Sequence, residues 1–340
     1  MTVQVESRHD EQRELRAMLG ELFARAEAAE PEALWKTLDE LGLTRLTTPE
    51  SEGGSGGTWH DAAVLLWAVG EHAVSLPIVE NDLLASPLLA AAGMPSTPAV
   101  RTVALLDATG TAPAVAFARD AERIVAVRET GSGYAVADLE RGDVDVTPGR
   151  DHAGEPSDRV VVPTTVSSDA WHAVDTAAVR ALRYSGALAR TVQIAGALDA
   201  ITHLVVEHTT TRTQFGRPIA RFQAVQFMAA DIAAEAALAR ASAEAAIDAA
   251  SRHGVSDDRT TFAIASAASV TGHAASLVAR TAHQAFGAIG FTQEHSVHRY
   301  TTRALAWRSD FGSVRSWDDE VTARAVEAGR TGLWGLLTAT

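Results

Sequence analysis

Three alanine-rich stretches, near 172–211, 219–252 and 258–286, constrain this chain more than any other feature. Apolar residues recur three and four positions apart within them, as at Leu198, Ile201 and Val205, and again at Phe222, Val225, Ala229 and Ile232. Helices of that length gain little from propensity alone, so they must lie lengthwise against one another in a bundle. Arg252–Asp258 reads as the connection between the second and the third. Residues 100–165 have a different texture. VALLDA, AVAFA, RIVAVR, GYAVADLE, DVDVTPG and DRVVVP are short, valine-rich and separated by Gly, Asp or Pro, as in a small antiparallel sandwich or barrel. Residues 8–95 are helical once more, with Leu15, Leu19 and Leu22, then Leu34, Leu38 and Leu41 before Gly42. The fold class is therefore α+β, mostly α. It is expected in three parts: an N-terminal helical domain over 1–97, a middle β domain over 98–167 and a C-terminal helical bundle over 168–340.

Composition removes whole classes of chemistry. With no cysteine in 340 residues, structural disulfides, cysteine-ligated clusters, zinc fingers and thiol nucleophiles are excluded. Lys36 is the only lysine, so 28 of the 29 basic residues are arginine, and no P-loop lysine exists. A net charge of −14 argues against nucleic acid and against an anionic membrane surface as partners. The first thirty residues mix both charge signs without a continuous apolar stretch, and no run of 18 apolar residues follows. The chain is expected to be cytoplasmic, with no membrane span.

Candidate sites thin out quickly. Ser51–Gly57 (SEGGSGG) lacks the GxGxxG spacing and reads as a flexible turn before the helix holding Ala62–Glu71. His203 and His208 are five apart, which does not bring two ligands onto one helical face, and Glu71–His72 has no second histidine four residues on. No metal site is expected. No GxSxG elbow is present for a serine nucleophile.

Thr211–Glu235 (TRTQFGRPIARFQAVQFMAADIAAE) is more informative. An ordinary corner between helices accounts for Gly216 in the turn and Pro218 near the next helix start. It does not account for Arg212, Gln214, Phe215 and Gln223 together. This block resembles the R-x-x-FG-x-P/L-I/L-x-x-x-Q-x-V/I-Q pattern of the acyl-CoA dehydrogenase family. Gln284–Ala304 (QAFGAIGFTQEHSVHRYTTRA) resembles the same family's Q-x-x-GG-x-G-Y/F-x-x-E-x-x-x-x-R-x-x-R, and the segment from Pro49 resembles its PE-x-x-GG-x-G. The resemblance covers essentially the whole chain, and helical, β, helical is that family's order.

The resemblance implies an FAD-dependent enzyme that removes the α proton and β hydride of an acyl-CoA thioester. It also identifies what this sequence lacks. Most members carry the proton-abstracting glutamate in a Y-E-G-T-like segment. Counting from Arg299 and Tyr300, Gly312 takes that glycine's place and Phe311 the glutamate's, with Asp310 one residue early. In relatives with the base on the preceding helix, the matching stretch is Tyr184–Ala187, which holds no carboxylate. The T-E-P-x-x-G-S-D loop and W-I-T/S strand that touch the flavin ring are absent between Arg101 and Pro163, where TAPAVAFARDAERIV stands instead. The T-x-E/Q that reaches FAD is likewise absent from SVRSWDDE. The positions matching contacts to a neighbouring subunit's FAD are kept: Arg212, Gln214, Phe215, Phe222, Gln223, Gln284 and Gly287, with Ala288 in place of a second glycine.

That asymmetry resembles the short, β-type chain of an α2β2 heteromer. Such a chain carries no catalytic base and completes the FAD site of a longer acyl-CoA dehydrogenase subunit, with acyl-CoA as substrate and an electron-transfer flavoprotein as acceptor. Two alternatives stay open: a self-sufficient homo-oligomer with Asp310 as base, and a flavin-free scaffold or acyl-binding partner. The large C-terminal residues Trp307, Trp317, Trp334 and Leu336–Leu337 either close the chain's own core or dock onto the partner. A steroid side chain or other branched acyl group is suggested only by analogy with such heteromers.

Overall fold

A computed structural model describes residues 2–26, 30–292 and 294–338, and the described elements run helical, then β, then helical. The first part comprises α1 (Thr2–Ala26), α2 (Pro31–Glu40), α3 (Trp59–Glu71) and a π-helical turn, Val79–Ala85, that runs into α4 (Ser86–Ala91). The strands follow: β1 (Arg101–Leu105), β2 (Thr111–Ala116), β3 (Arg123–Thr130), β4 (Gly133–Glu140), β5 (Asp145–Thr147), β6 (Ser157–Val161) and β7 (His172–Val174). The third part holds α5 (Thr176–Thr211), a hairpin of β8 (Thr213–Gln214) and β9 (Arg217–Pro218), α6 (Gln223–His253), α7 (Asp258–Phe286), α8 (Val297–Trp307) and α9 (Val314–Thr338). By mutual contact the chain divides into two units. One gathers Met1–Glu27, Trp59–Val74 and Ala187–Thr340, the other Ala28–Thr58 and Ser75–Gly186. The N-terminal helical stretch contributes to both, and α5 begins in the second and continues in the first.

Within the second unit, β1, β3, β4 and β7 form a sheet in the order β1-β3-β4-β7, with β1 parallel to β3 and the other pairs antiparallel. An antiparallel sheet in the order β2-β6-β5 is the second layer. Ala104, Val115, Ile124, Ala126, Ala137, Leu139 and Val160 from both sheets share one apolar core. The π-helical turn ties this sheet to the preceding loop. Its Asn81 amide donates to the Thr44 carbonyl and accepts from the Arg101 amide, both near 2.9 Å. Buried Asp82 accepts from the Thr47 and Thr48 amides and the Thr48 hydroxyl. Burial raises its carboxyl pKa from the usual range, while those donors pull it back.

The glycine-rich loop has a structural explanation here. The amides of Ser55, Gly56 and Gly57 donate to the carbonyls of Arg45, Thr48 and Leu46 at 2.7–3.1 Å. A Cβ on Gly54 would stand 2.1 Å from the Thr48 carbonyl oxygen. These glycines let the loop lie flat on residues 45–48, and its N–H groups are consumed there rather than offered to a phosphate.

The first unit is a helical bundle around Ile194, Leu198, Ile201, Val205, Ile232, Ala236, Val278, Phe286, Val297 and Trp307. Alanine sets its geometry: small side chains on α6 and α7 let those helices lie close along their whole length. The most intimate crossing joins α3 and α5. A Cβ on Gly70 would fall 2.0 Å from the Gln193 carbonyl oxygen, and one on Gly196 2.3 Å from that of Trp67. On α9, Trp317 is 2% exposed and belongs to the chain's own core, as does Trp307, whereas Trp334 beyond a kink at Gly329 is 75% exposed. The stretch Asp258–Phe291 has the length and apolarity of a membrane-crossing helix, and about two-thirds of its most apolar 18-residue window is buried, the setting of a core helix.

Because both glycines abut backbone rather than flexible side chains, Gly196→Ala has no cheap relief. It is expected to lower stability by about 1–3 kcal/mol or more, read as a lower urea midpoint, with Gly131→Ala, where nothing lies within 4 Å, as the neutral control.

Candidate functional site

The region matched to the family's base lies in the first unit, where α5, α8 and the turn before α9 meet. Arg190 on α5 is 8% exposed, in a helix segment that is mostly Ala, Leu, Val and Ile. A buried guanidinium requires a counter-charge. It finds one in Asp310, whose Oδ2 accepts from Arg190 Nε at 2.7 Å. Arg190 also donates to Gln193 Oε1 at 2.8 Å and lies 5.8 Å from the Trp307 ring centre. Asp310 is therefore the counter-charge of a buried arginine. Ser313 holds the start of α9, accepting from the Ser316 amide at 3.1 Å.

The space beside this pair is nearly filled. Trp307, Phe311, Gly312 and Trp317 close around a gap of about 10 Å³, the room one water needs. Gly312 has φ +149°, and a Cβ there would sit 3.0 Å from the Trp317 ring, so the glycine of this turn is required by the tryptophan packed on it. Tyr184, in the other candidate base segment, is buried between Arg180 and Arg183, each 5.5 Å from its ring centre.

In the second unit, the segment standing where the flavin-ring loop would be is locked into the β domain. The Arg119 amide donates to Asp158 Oδ2 at 2.7 Å and its Nε to Oδ1 at 2.9 Å, while the guanidinium also reaches the Gly149 carbonyl. Asp158 is fully buried. Hydrogen bonds from Arg119 and the Gly149 amide outweigh desolvation, the largest single influence, and hold its carboxyl below the usual range. Those polar groups serve the fold.

The corner after α5 faces outward. Phe215 (φ +52°) and Gly216 (φ +78°) are the two central residues of the hairpin, both in the left-handed region, the signature of a type I′ turn. A phenylalanine there is strained, and it is 91% exposed with only the edge of Phe222 at 6.0 Å. Arg217 stacks on Phe222 at 4.3 Å. Arg212, Gln214 and Gln223 are exposed, and the Arg212 guanidinium has no ion-pair partner among the described residues. Gln284, Gly287 and Ala288 are exposed at the end of α7, where Gly287 (φ +64°) caps the helix. Between the two motifs, His208 packs on Phe286 at 4.5 Å, and Phe286 on His295 at 4.2 Å. The donor set, an unpaired arginine with outward glutamine amides and a flat aromatic, fits the phosphates and rings of a dinucleotide approached from outside. The Arg119 turn does not offer such donors.

Sequence reasoning missed Arg190, Gln193 and His295, and weighed His208 only as a metal ligand. The signal for the first pair was present: two polar residues at i, i+3 in an apolar helix. The histidines gave none, because His208 lies almost eighty residues from Phe286 and further still from His295, and only the folded bundle brings the three rings together.

The Arg190–Asp310 pair makes a direct prediction. Arg190→Ala strands a carboxylate beside apolar walls and is expected to cost about 2–4 kcal/mol. Asp310 is one-third exposed, so Asp310→Asn should cost less, about 1–2 kcal/mol, in urea unfolding. An Asp310→Asn midpoint equal to the native one would mean that the pair is not structural.

Comparison with known proteins places this geometry. Residues 177–313 match the acyl-CoA dehydrogenase C-terminal domain, and residues 9–96 the acyl-CoA dehydrogenase N-terminal domain. Acyl-CoA dehydrogenase IpdE2 of Mycobacterium tuberculosis is 31% identical over 285 residues, 80% of each chain. Acyl-CoA dehydrogenase FadE27 of the same organism is 28% identical over 314 residues, covering 78% of this chain and 81% of that one. In fold, the chain is similar to a chain of the ChsE4-ChsE5 complex from Mycobacterium tuberculosis, with a TM-score of 0.82, 24% identity, and coverage of 93% of this chain and 97% of that one. With its fold, its two motifs and these relatives in agreement, the chain belongs to the acyl-CoA dehydrogenase family.

Proposed function

We propose that this chain is the base-less subunit of a heteromeric, FAD-dependent acyl-CoA dehydrogenase, and that it completes the cofactor site of a longer partner. The observation that carries this reading is the engagement of Asp310 by Arg190 beside a gap of about 10 Å³. A general base must be within hydrogen-bond reach of the proton it takes, and must be free to take it. Here the carboxylate is paired with a guanidinium, and the gap beside that arginine is about 10 Å³. The outward corner is the complementary half of the argument. Arg212 supplies a charge-assisted donor for a pyrophosphate, Gln214, Gln223 and Gln284 supply amides, and Phe215 supplies a flat apolar face. Gly287 and Ala288 keep the end of α7 low enough for backbone approach. FAD, when bound, accepts the hydride from the acyl β carbon; the proton-accepting carboxylate belongs to the partner.

Two similar solved structures support the heteromeric reading by their composition. One is the ChsE4-ChsE5 complex, and another is described as the Tcur3481-Tcur3483 steroid ACAD. We extend from these a bulky acyl-CoA substrate, and the same reading includes a cytoplasmic setting and an electron-transfer flavoprotein as acceptor.

The test is expression of the chain alone and with a longer acyl-CoA dehydrogenase subunit. Alone, it is expected to purify without stoichiometric flavin absorbance and to leave acyl-CoA unoxidised. The complex should hold about one FAD per pair of unlike chains. Arg212→Ala in this chain should then weaken FAD retention by roughly ten- to a hundredfold, about 1.5–3 kcal/mol. A yellow homo-oligomer that oxidises a thioester would overturn the reading.

A further inference from the structure

The joint between the two motifs contains more titratable groups than packing requires. His208 at the end of α5 and His295 before α8 flank the buried Phe286 ring at 4.5 and 4.2 Å, and their own centres are 6.1 Å apart. The amide of Val297 donates to His295 Nδ1 at 3.1 Å. A backbone amide can only donate, so Nδ1 must be unprotonated, and the proton of the neutral ring sits on Nε2. Val297 is 0% exposed. Protonating Nδ1 therefore removes the partner of an amide in the core and starts a repulsion with His208 through the same aromatic contact. His298 adds to this: its Nδ1 donates to the His295 carbonyl at 2.7 Å, fixing the backbone on which the imidazole is mounted.

We propose that His208, Phe286 and His295 form a pH-sensitive clasp that holds the Arg212 corner to the end of α7 while both imidazoles are neutral and loosens when they take up protons. The charged and titratable neighbours are Glu207 and Arg212 on α5, His283 on α7 and His298 on α8. Arg212 disfavours a charged His208, and His298 a charged His295; Glu207 alone favours the charged state of His295. Burial is the main influence on both rings and lowers their pKa values from the ordinary histidine range. His283, stacked on Phe291 at 4.7 Å, is lowered in the same way. The sign follows. In the unfolded or opened chain these histidines bind protons at higher pH than in the closed joint, so closure is fully stable above about pH 6.5. It weakens as pH falls toward the depressed values, by up to about tenfold per pH unit for each titrating ring.

Hydrogen exchange of the full-length chain, compared between pH 7.5 and 5.5 and corrected for intrinsic exchange, tests this. Protection over 205–222 and 284–299 is expected to fall by roughly tenfold or more, while the centres of α6 and α7 keep theirs. In the double variant His208→Gln, His295→Asn, whose Asn can still accept from the Val297 amide, the pH response of these segments should disappear. Uniform loss across the bundle, or a variant with an unchanged response, overturns the clasp. Should the variant not fold, NMR titration of the native chain decides: two imidazoles titrating together below the ordinary range support it, and normal, independent titrations overturn it.

Discussion

The first unit depends on one close approach. At Gly70 and Gly196 the backbones of α3 and α5 touch, each glycine standing where any side chain would collide with a carbonyl of the other helix. The contact draws α5 inward, and the segment from Ala187 to Ala200 is buried on every side. Once α5 is enclosed, each polar residue on it must be satisfied within the fold. Arg190 therefore takes Asp310, and Asp199 takes Arg240. In the latter pair burial still raises the Asp199 carboxyl pKa, Arg240 opposing it. Arg240 also lies over Trp67 at 4.7 Å, tying α6 to α3 across the same helix.

The same constraint shapes function. A catalytic carboxylate in this fold must be desolvated yet left without a permanent counter-ion, since a raised pKa and a free lone pair are what abstraction of a weakly acidic proton demands. Here α5 brings its own cation, Arg190, and Trp307 and Trp317 pack beside it around a gap of about 10 Å³. The β domain follows the same pattern: Arg119 and Asp158 spend their hydrogen bonds on each other and on Gly149. The inward-turned Arg190, Asp199 and Asp158 are paired within the fold, whereas the Arg212 guanidinium at the outward corner has no ion-pair partner among the described residues.

Two features read from sequence changed meaning in three dimensions. The glycines of Ser51–Gly57 were legible as a turn, but that their amides are held by the carbonyls of Leu46, Thr48, Pro49 and Glu50 depends on how the loop folds back. The C-terminal tryptophans divide: Trp317 closes the core against Gly312, while Trp334, beyond the kink at Gly329, stays on the surface. Helical spacing alone does not separate them, because the kink that turns one segment away from the bundle is a single backbone conformation.

By itself, the sequence determined the order of helical, β and helical parts, the length of the bundle helices and the corner motif. All of these follow from local spacing of apolar residues, glycine and proline, which act within a few positions along the chain. Only the tertiary structure decided the state of Asp310. It stands 120 residues from Arg190, and nothing local distinguishes a poised base from the counter-charge of a buried arginine. It also decided that His208, Phe286 and His295 meet. Pairings of this kind are set by which helix faces come together, and that depends on the packing of the whole unit.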